Sequence, residues 1–344
     1  MRDPVGVAIL GCAHLPHAMS YARAARASPA ARLVGAYDEE PRIGRMLADR
    51  FGVRFVGSPN ELVAMPGVDA VIVCSATSSH RPLVELAAAA GLHVLCEKPI
   101  ATTAIDAREM IDACDRAGVQ LHVAFVTRFY PVIQRIRAAV RDGTLGEIVG
   151  LVGGNRGRPP LPPAYADWIT DPARSGGGAL IDHSVHVTDV MRHVTGLEVV
   201  EVGAEVDSLF WDAGVDDTAM LSLTFHNGAV GTVDPSWSVP ADNPWHYDFY
   251  LRILGTLGAL TMTDTTEGIH VVGQGGRPGE VLVPFGSDID ALLLDGFIGS
   301  IRAGELFDPC ADGEAGLRAL EIALAGYEAA AAASRVRLPW PDAR

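Results

Sequence analysis

Val5-Gly6-Val7-Ala8-Ile9-Leu10-Gly11-Cys12-Ala13-His14-Leu15-Pro16 is an apolar run that stops at a glycine and passes into a helical pattern through Met19, Ala22 and Ala25. A short strand feeding a helix is the first half of a βαβ unit. The unit repeats. Residues 33–37 form a second strand ending at Asp38, followed by a helix over 43–50; 53–56 is a weak third strand and 69–74 a strong fourth. A helix over 80–90, a strand over 92–96, a helix over 103–117 and a strand over 120–124 complete the series. Thr102 or Thr103 is placed to cap the helix over 103–117 and Gly118 to end it. Short apolar strands alternating with helices build a parallel sheet covered on both faces, an α/β doubly wound fold over residues 1–124.

Past Phe125 the alternation changes. A helix over 131–141 and a strand over 146–152 lead through a proline-rich stretch to Gly176-Gly177-Gly178 and an amphipathic helix. Period-two segments follow at 220–225, 229–233, 249–254, 259–262, 269–272 and 281–284, with the hairpin signal Asn227-Gly228 between the first two. They predict a large, mostly antiparallel open sheet in an α+β domain over 125–344, closed by helices over 289–302 and 316–333.

Composition narrows the class. A net charge of −15, spread along the chain, opposes a nucleic-acid or anionic-membrane partner. No apolar stretch reaches the ~20 residues of a membrane span. Five irregularly spaced cysteines form no C-x-x-C pair, so a reducing, cytoplasmic compartment is expected.

The turn after the first strand stands where a dinucleotide rests its pyrophosphate on a helix N-terminus. Ala13 and Pro16 occupy positions where G-x-G-x-x-G has glycine. Ala13 adds one methyl group, and proline is tolerated at a first helical position. Asp38 ends the second strand, where an acid binds the ribose hydroxyls and repels a 2′-phosphate. Glu39 adds charge and Arg42 is the nearest arginine, so NAD is favoured over NADP. A solvated loop acid is the alternative for Asp38.

Glu97-Lys98-Pro99 follows the fifth strand, and strand carboxyl ends face the ligand crevice of such sheets. An ammonium there can polarise a carbonyl or support an alkoxide. Asp182 and His186 are four apart and share a helix face. An acid beside an imidazole suits proton transfer near neutral pH, although the spacing equally suits a solvated face. Asp182, His183, His186 and Asp189 are potential metal ligands, but no H-E-x-x-H pattern accompanies them and no metal is expected. His14 and His17 read as polar helix-start residues. Trp168, Trp237, Trp245 and His246 could stack on a sugar ring or pack in a core.

Gly11 with its turn, Asp38, Ser75 to His80, Glu97-Lys98-Pro99, Arg128-Phe129, the glycine triplet with Asp182 and His186, and Gly313 to Leu320 together resemble the Gfo/Idh/MocA family of oxidoreductases, which includes glucose–fructose oxidoreductase and inositol dehydrogenase. The likeness covers nearly the whole chain in the family's order. It implies a Rossmann domain followed by a substrate-binding and oligomerisation domain, with Lys98, Asp182 and His186 catalytic. Candidate cofactor contacts are Gly11, Cys12, Ala13, His14, Leu15, Asp38, Ser75, Ala76, His80, Glu97 and Lys98. Candidate substrate contacts are Lys98, Arg128, Trp168, Asp182, His183, His186 and Trp245. His183 stands where the family more often has a small or apolar residue, to read the substrate or to bond a nearby carbonyl.

The expected function is an NAD-dependent dehydrogenase of a secondary alcohol on a sugar, inositol or related polyol. The alternatives are a lyase or glycosidase of the same family that uses NAD without net redox change, and a non-catalytic sensor of NAD and a metabolite. The resemblance also implies a homodimer or homotetramer joined through the C-terminal sheet.

Overall fold

The computed structural model describes residues 3–161, 165–240, 243, 247–263, 268–272, 280–284 and 286–339. The elements begin with β1 (Val5–Leu10), α1 (Leu15–Ala27), β2 (Ala31–Tyr37), α2 (Pro41–Phe51), β3 (Arg54–Phe55), α3 (Pro59–Val63), β4 (Ala70–Val73), α4 (His80–Ala89), β5 (His93–Cys96), α5 (Ala104–Ala117) and β6 (Leu121–Val123). Next come α6 (Pro131–Arg141), β7 (Ile148–Gly157), α7 (Pro172–Ser175), α8 (Ala179–Thr195), β8 (Val199–Asp207), β9 (Thr218–Phe225) and β10 (Val230–Asp234). The remainder are β11 (Tyr247–Gly255), β12 (Ala259–Met262), β13 (Gly268–Val272), β14 (Glu280–Pro284), α9 (Ile289–Ala303), β15 (Ala311–Asp312), α10 (Gly313–Ala332) and β16 (Val336–Arg337).

Two compact units result. The first comprises Met1–Phe129, Pro162–Gly176 and Ile289–Leu320; the second comprises Tyr130–Leu161, Gly177–Asp288 and Glu321–Arg344. These differ from the contiguous stretches 1–124 and 125–344 expected from sequence, because later segments return to complete the first core. Leu293, Leu294 and Phe297 of α9 pack with Ala18, Tyr21 and Ala25 of α1 in one apolar cluster.

The first unit's sheet runs β15-β6-β5-β4-β1-β2-β3, parallel except where β15 meets β6. All six residues of β1 are buried, as a strand covered on both faces requires. The sequence order reverses at β1, whose neighbours are β2 and β4. That switch point is where this architecture opens a crevice at the strand carboxyl ends. Thr103 caps α5 by accepting from the Asp106 N–H at 3.1 Å, and Gly118 ends it in the left-handed conformation.

The second unit's sheet runs β12-β11-β7-β10-β9-β8-β16, with only β7–β10 parallel. Leu151, Leu221, Leu223 and Val233 are buried on one face, whereas Val152, Met220 and Val230 are exposed on the other. Strand β7 continues to Gly157, beyond the expected end at 152, because Gly153-Gly154-Asn155 has no apolar period, yet all three residues pair with β11 and the two glycines also with β10. Strand β8 and the two-residue β15 and β16 were not predicted. The short pair exist only through their pairing with β6 and β8.

Candidate active site

The first unit gathers its candidates around the β1–β4 switch point. Gly11 has φ +91°, and a Cβ there would stand 2.7 Å from the Ser75 Cβ. Glycine is needed both for the backbone conformation and for the close approach to β4. Pro16 sits in the first turn of α1, as expected. Asp38 is buried, 3% exposed. Its Oδ2 accepts from the Cys12 N–H at 2.5 Å and its Oδ1 from the Glu40 N–H at 2.8 Å. The end of β2 and the glycine loop are thus joined through one carboxylate. Burial pushes the Asp38 pKa up, and the backbone donors at Cys12 and Glu40 only partly offset this.

Glu39 pairs with Arg174 at 2.9 Å, while Arg42 pairs with Glu40 at 3.1 Å. The Glu39 charge is thus met by a sequence-distant partner. Trp168 also belongs to this unit, where its Nε1–H donates to the Ala13 carbonyl at 3.2 Å and its ring meets His14 edge-on. These contacts place Trp168 against the turn after β1.

Glu97 and Lys98 follow β5, both buried. The Lys98 N–H donates to Glu97 Oε2 at 3.1 Å, and His17 Nδ1 lies 2.8 Å from Glu97 Oε1. Burial raises the Glu97 pKa, but the His17 charge and hydrogen bond outweigh it and hold the carboxyl well below its usual range. Burial lowers the His17 pKa, yet Glu97 wins and the net shift is upward. His17 is therefore half of an ion pair in which Glu97 is buried and His17 partly exposed. Its partner, 80 residues away, leaves no signal in sequence spacing.

His80 is buried with Nδ1 3.1 Å from the carbonyls of Pro99 and Ile100 and Nε2 3.3 Å from that of Ser75. Its ring braces the loops after β4 and β5, and burial lowers its pKa. Ser75 Oγ donates to the Ala76 carbonyl at 3.1 Å. Arg128 is buried, with Nη1 donating to the Cys310 carbonyl at 3.1 Å, which ties it to that segment.

In the second unit, Asp182, His183 and His186 lie on α8. Residue 178, just before the helix, must be glycine because a Cβ there would fall 2.0 Å from the Asp216 carbonyl oxygen. Asp216 accepts from the N–H groups of Gly178 and Leu180, each at 2.8 Å, and from the Tyr327 hydroxyl at 2.8 Å. A carboxylate on the orphan donors also suits the helix dipole. Neither Asp216 nor Tyr327 was found from sequence, because both are remote from the helix they cap.

Asp182 Oδ2 accepts from Trp237 Nε1–H at 3.3 Å, and His183 Nε2 lies 3.3 Å from the same oxygen. His183 Nδ1 donates to the Asn155 carbonyl at 2.9 Å, the backbone alternative foreseen for it. His186, one turn beyond Asp182, is buried. Trp245 lies outside the described residues. Among the described residues, no group of three or more His, Cys, Asp or Glu side chains is arranged to hold a metal.

Comparison with known proteins gives two matches along the chain. Residues 5–125 match the oxidoreductase family with NAD-binding Rossmann fold, and residues 133–261 match the GFO/IDH/MocA C-terminal domain. A myo-inositol 2-dehydrogenase of Thermotoga maritima is 34% identical, over 83% of this chain and 84% of that protein. A scyllo-inositol 2-dehydrogenase (NAD(+)) of Bacillus subtilis is 28% identical, over 76% of this chain and 74% of that protein. The crystal structure of GenD2 from gentamicin A biosynthesis, in complex with NAD, superposes with TM-score 0.87 at 25% identity, covering 99% of this chain and 98% of that one.

Proposed function

We infer the function from one premise: the chain belongs to the Gfo/Idh/MocA family of oxidoreductases. It is an NAD-dependent oxidoreductase that transfers a hydride between a secondary alcohol of a sugar, inositol or related polyol and the nicotinamide. The observation that carries the cofactor reading is the switch point, where Gly11 leaves no room for a Cβ and Asp38 faces the glycine loop. These residues suit a dinucleotide, with the pyrophosphate on Cys12 to Leu15 at the α1 N-terminus and a ribose on Asp38. NAD, when bound, supplies the two-electron acceptor.

The chain's own residues supply the rest. His186 accepts the hydroxyl proton of the alcohol, Lys98 supports the developing alkoxide, and Asp182 orients the reacting hydroxyl. Ser75, Ala76 and Glu97 line the cofactor side, and His80 acts by bracing their loops. His183 acts on Asp182. The five cysteines are free and buried, which favours a reducing, cytoplasmic setting. No helix among the described residues is long and apolar enough to cross a membrane. The exposed apolar face of the second sheet supports a homodimer or homotetramer.

Titration with NAD and NADP, followed by absorbance in the reduced-nicotinamide band with inositols and aldoses, tests this reading. NAD should bind at least about tenfold more tightly, a difference of about 1.4 kcal/mol. Equal affinities would remove Asp38 from the ribose. Absence of reduced cofactor with every polyol, despite tight NAD binding, would favour the sensor.

A further inference from the structure

Trp237 is a fully buried indole in the second unit, and its backbone is fixed at both ends. Its N–H donates to the Asp217 carbonyl at 2.8 Å, and its own carbonyl accepts from Trp211 Nε1–H at 2.9 Å. Asp217 is itself buried and accepts from the N–H groups of Leu209, Phe210 and Trp211 at 2.8, 2.9 and 2.6 Å. The loop that holds Trp237 is therefore organised around one carboxylate. From this rigid base the indole N–H reaches Asp182 Oδ2 at 3.3 Å.

His183 approaches the same oxygen from its own helix, at 3.3 Å. Its ring lies against β7, where a Cβ on Gly157 would come within 2.6 Å of Cε1. Nδ1 is 2.9 Å from the Asn155 carbonyl, so both ring nitrogens face oxygen acceptors.

We propose that Trp237 and His183 are positioning residues that hold Oδ2 of Asp182 from two sides, so that the carboxylate meets the substrate hydroxyl in a single orientation. The proposal rests on the reading of Asp182 given above. The indole bond is long, the imidazole makes an ion-pair approach, and each contributes modestly by itself. Their common effect is geometric, and misplacing a catalytic group by about 1 Å can cost up to ~10²-fold in rate.

Trp237→Phe, which removes the indole N–H, should lower kcat roughly tenfold while KM and NAD affinity change less than about threefold. His183→Ala should act in the same direction, and His183→Gln, which restores a donor, should recover part of the loss. The decisive measurement is a double-mutant cycle. In an Asp182→Ala background, Trp237→Phe and His183→Ala should have almost no further effect on kcat, because nothing remains to be positioned. Full additivity alongside a slow Asp182→Ala enzyme overturns the positioning role alone. Wild-type kcat in Asp182→Ala overturns both this proposal and the reading beneath it. Should Trp237→Phe not fold, the His183 arm of the cycle distinguishes the same outcomes.

Discussion

His186 and Asp182 stand one turn apart on α8, a spacing that presents both to the same side. As the proposed proton acceptor, His186 should lose roughly 10²–10⁴ in turnover on substitution by alanine, with NAD affinity little changed. Turnover within a few-fold of the parent enzyme would dismiss it as the base. Lys98 differs because it follows β5 in the dinucleotide unit, so Lys98→Ala should impair turnover and cofactor binding together. Asp38 carries a pH dependence whose sign is set by burial. Its raised pKa means that acidification neutralises it sooner than an ordinary carboxylate, so discrimination against NADP should narrow as pH falls. Discrimination that stays constant down to the acid limit of folding would mean the carboxylate does not face the ribose.

At the scale of elements, α1 is tied to the end of β5 by His17 and Glu97. The folded-state pKa of Glu97 lies below its ordinary 4.5 and that of His17 above its ordinary 6.5. The Glu97 contribution is therefore complete above 4.5 and fades as pH falls through the folded value. The His17 contribution is complete below 6.5 and fades as pH rises through its own folded value. The pair is strongest between those ordinary values. His17→Gln should cost about 1 kcal/mol there, after discounting for the partial exposure of His17, and progressively less at alkaline pH. Chemical denaturation across pH measures this, and a difference independent of pH would show that the imidazole is not charged. The place of Glu97 at the end of an apolar strand was legible. Its partner was not, because an ion pair formed 80 residues apart has no local periodicity.

At the scale of the whole molecule, the second sheet leaves Val152, Met220 and Val230 exposed by 38%, 49% and 60%. The pairings Thr232–Val152 and Ser222–Thr232 put them on one face. Exposed apolar side chains on an open sheet face suit association. If this face joins the subunits, Met220→Glu with Val230→Glu should convert the oligomer to a monomer in light scattering while leaving the circular dichroism of the fold intact. An unchanged mass would place any interface elsewhere.

The sequence alone determined the alternation of strands and helices, the glycine turn with Asp38 after β2, the capped ends of α5, and the Asp182–His186 spacing. All of these are written in neighbours a few residues apart, where apolar period, turn chemistry and helical geometry act directly. Only the tertiary structure decided that α9 completes the first core, that Trp168 and Arg174 meet the glycine loop and Glu39, and that Asp216 caps α8. It alone brought Trp237 to Asp182, 55 residues away. Such contacts depend on where the chain returns after a long excursion, and that return is set by the packing of whole elements rather than by the pattern within any one of them.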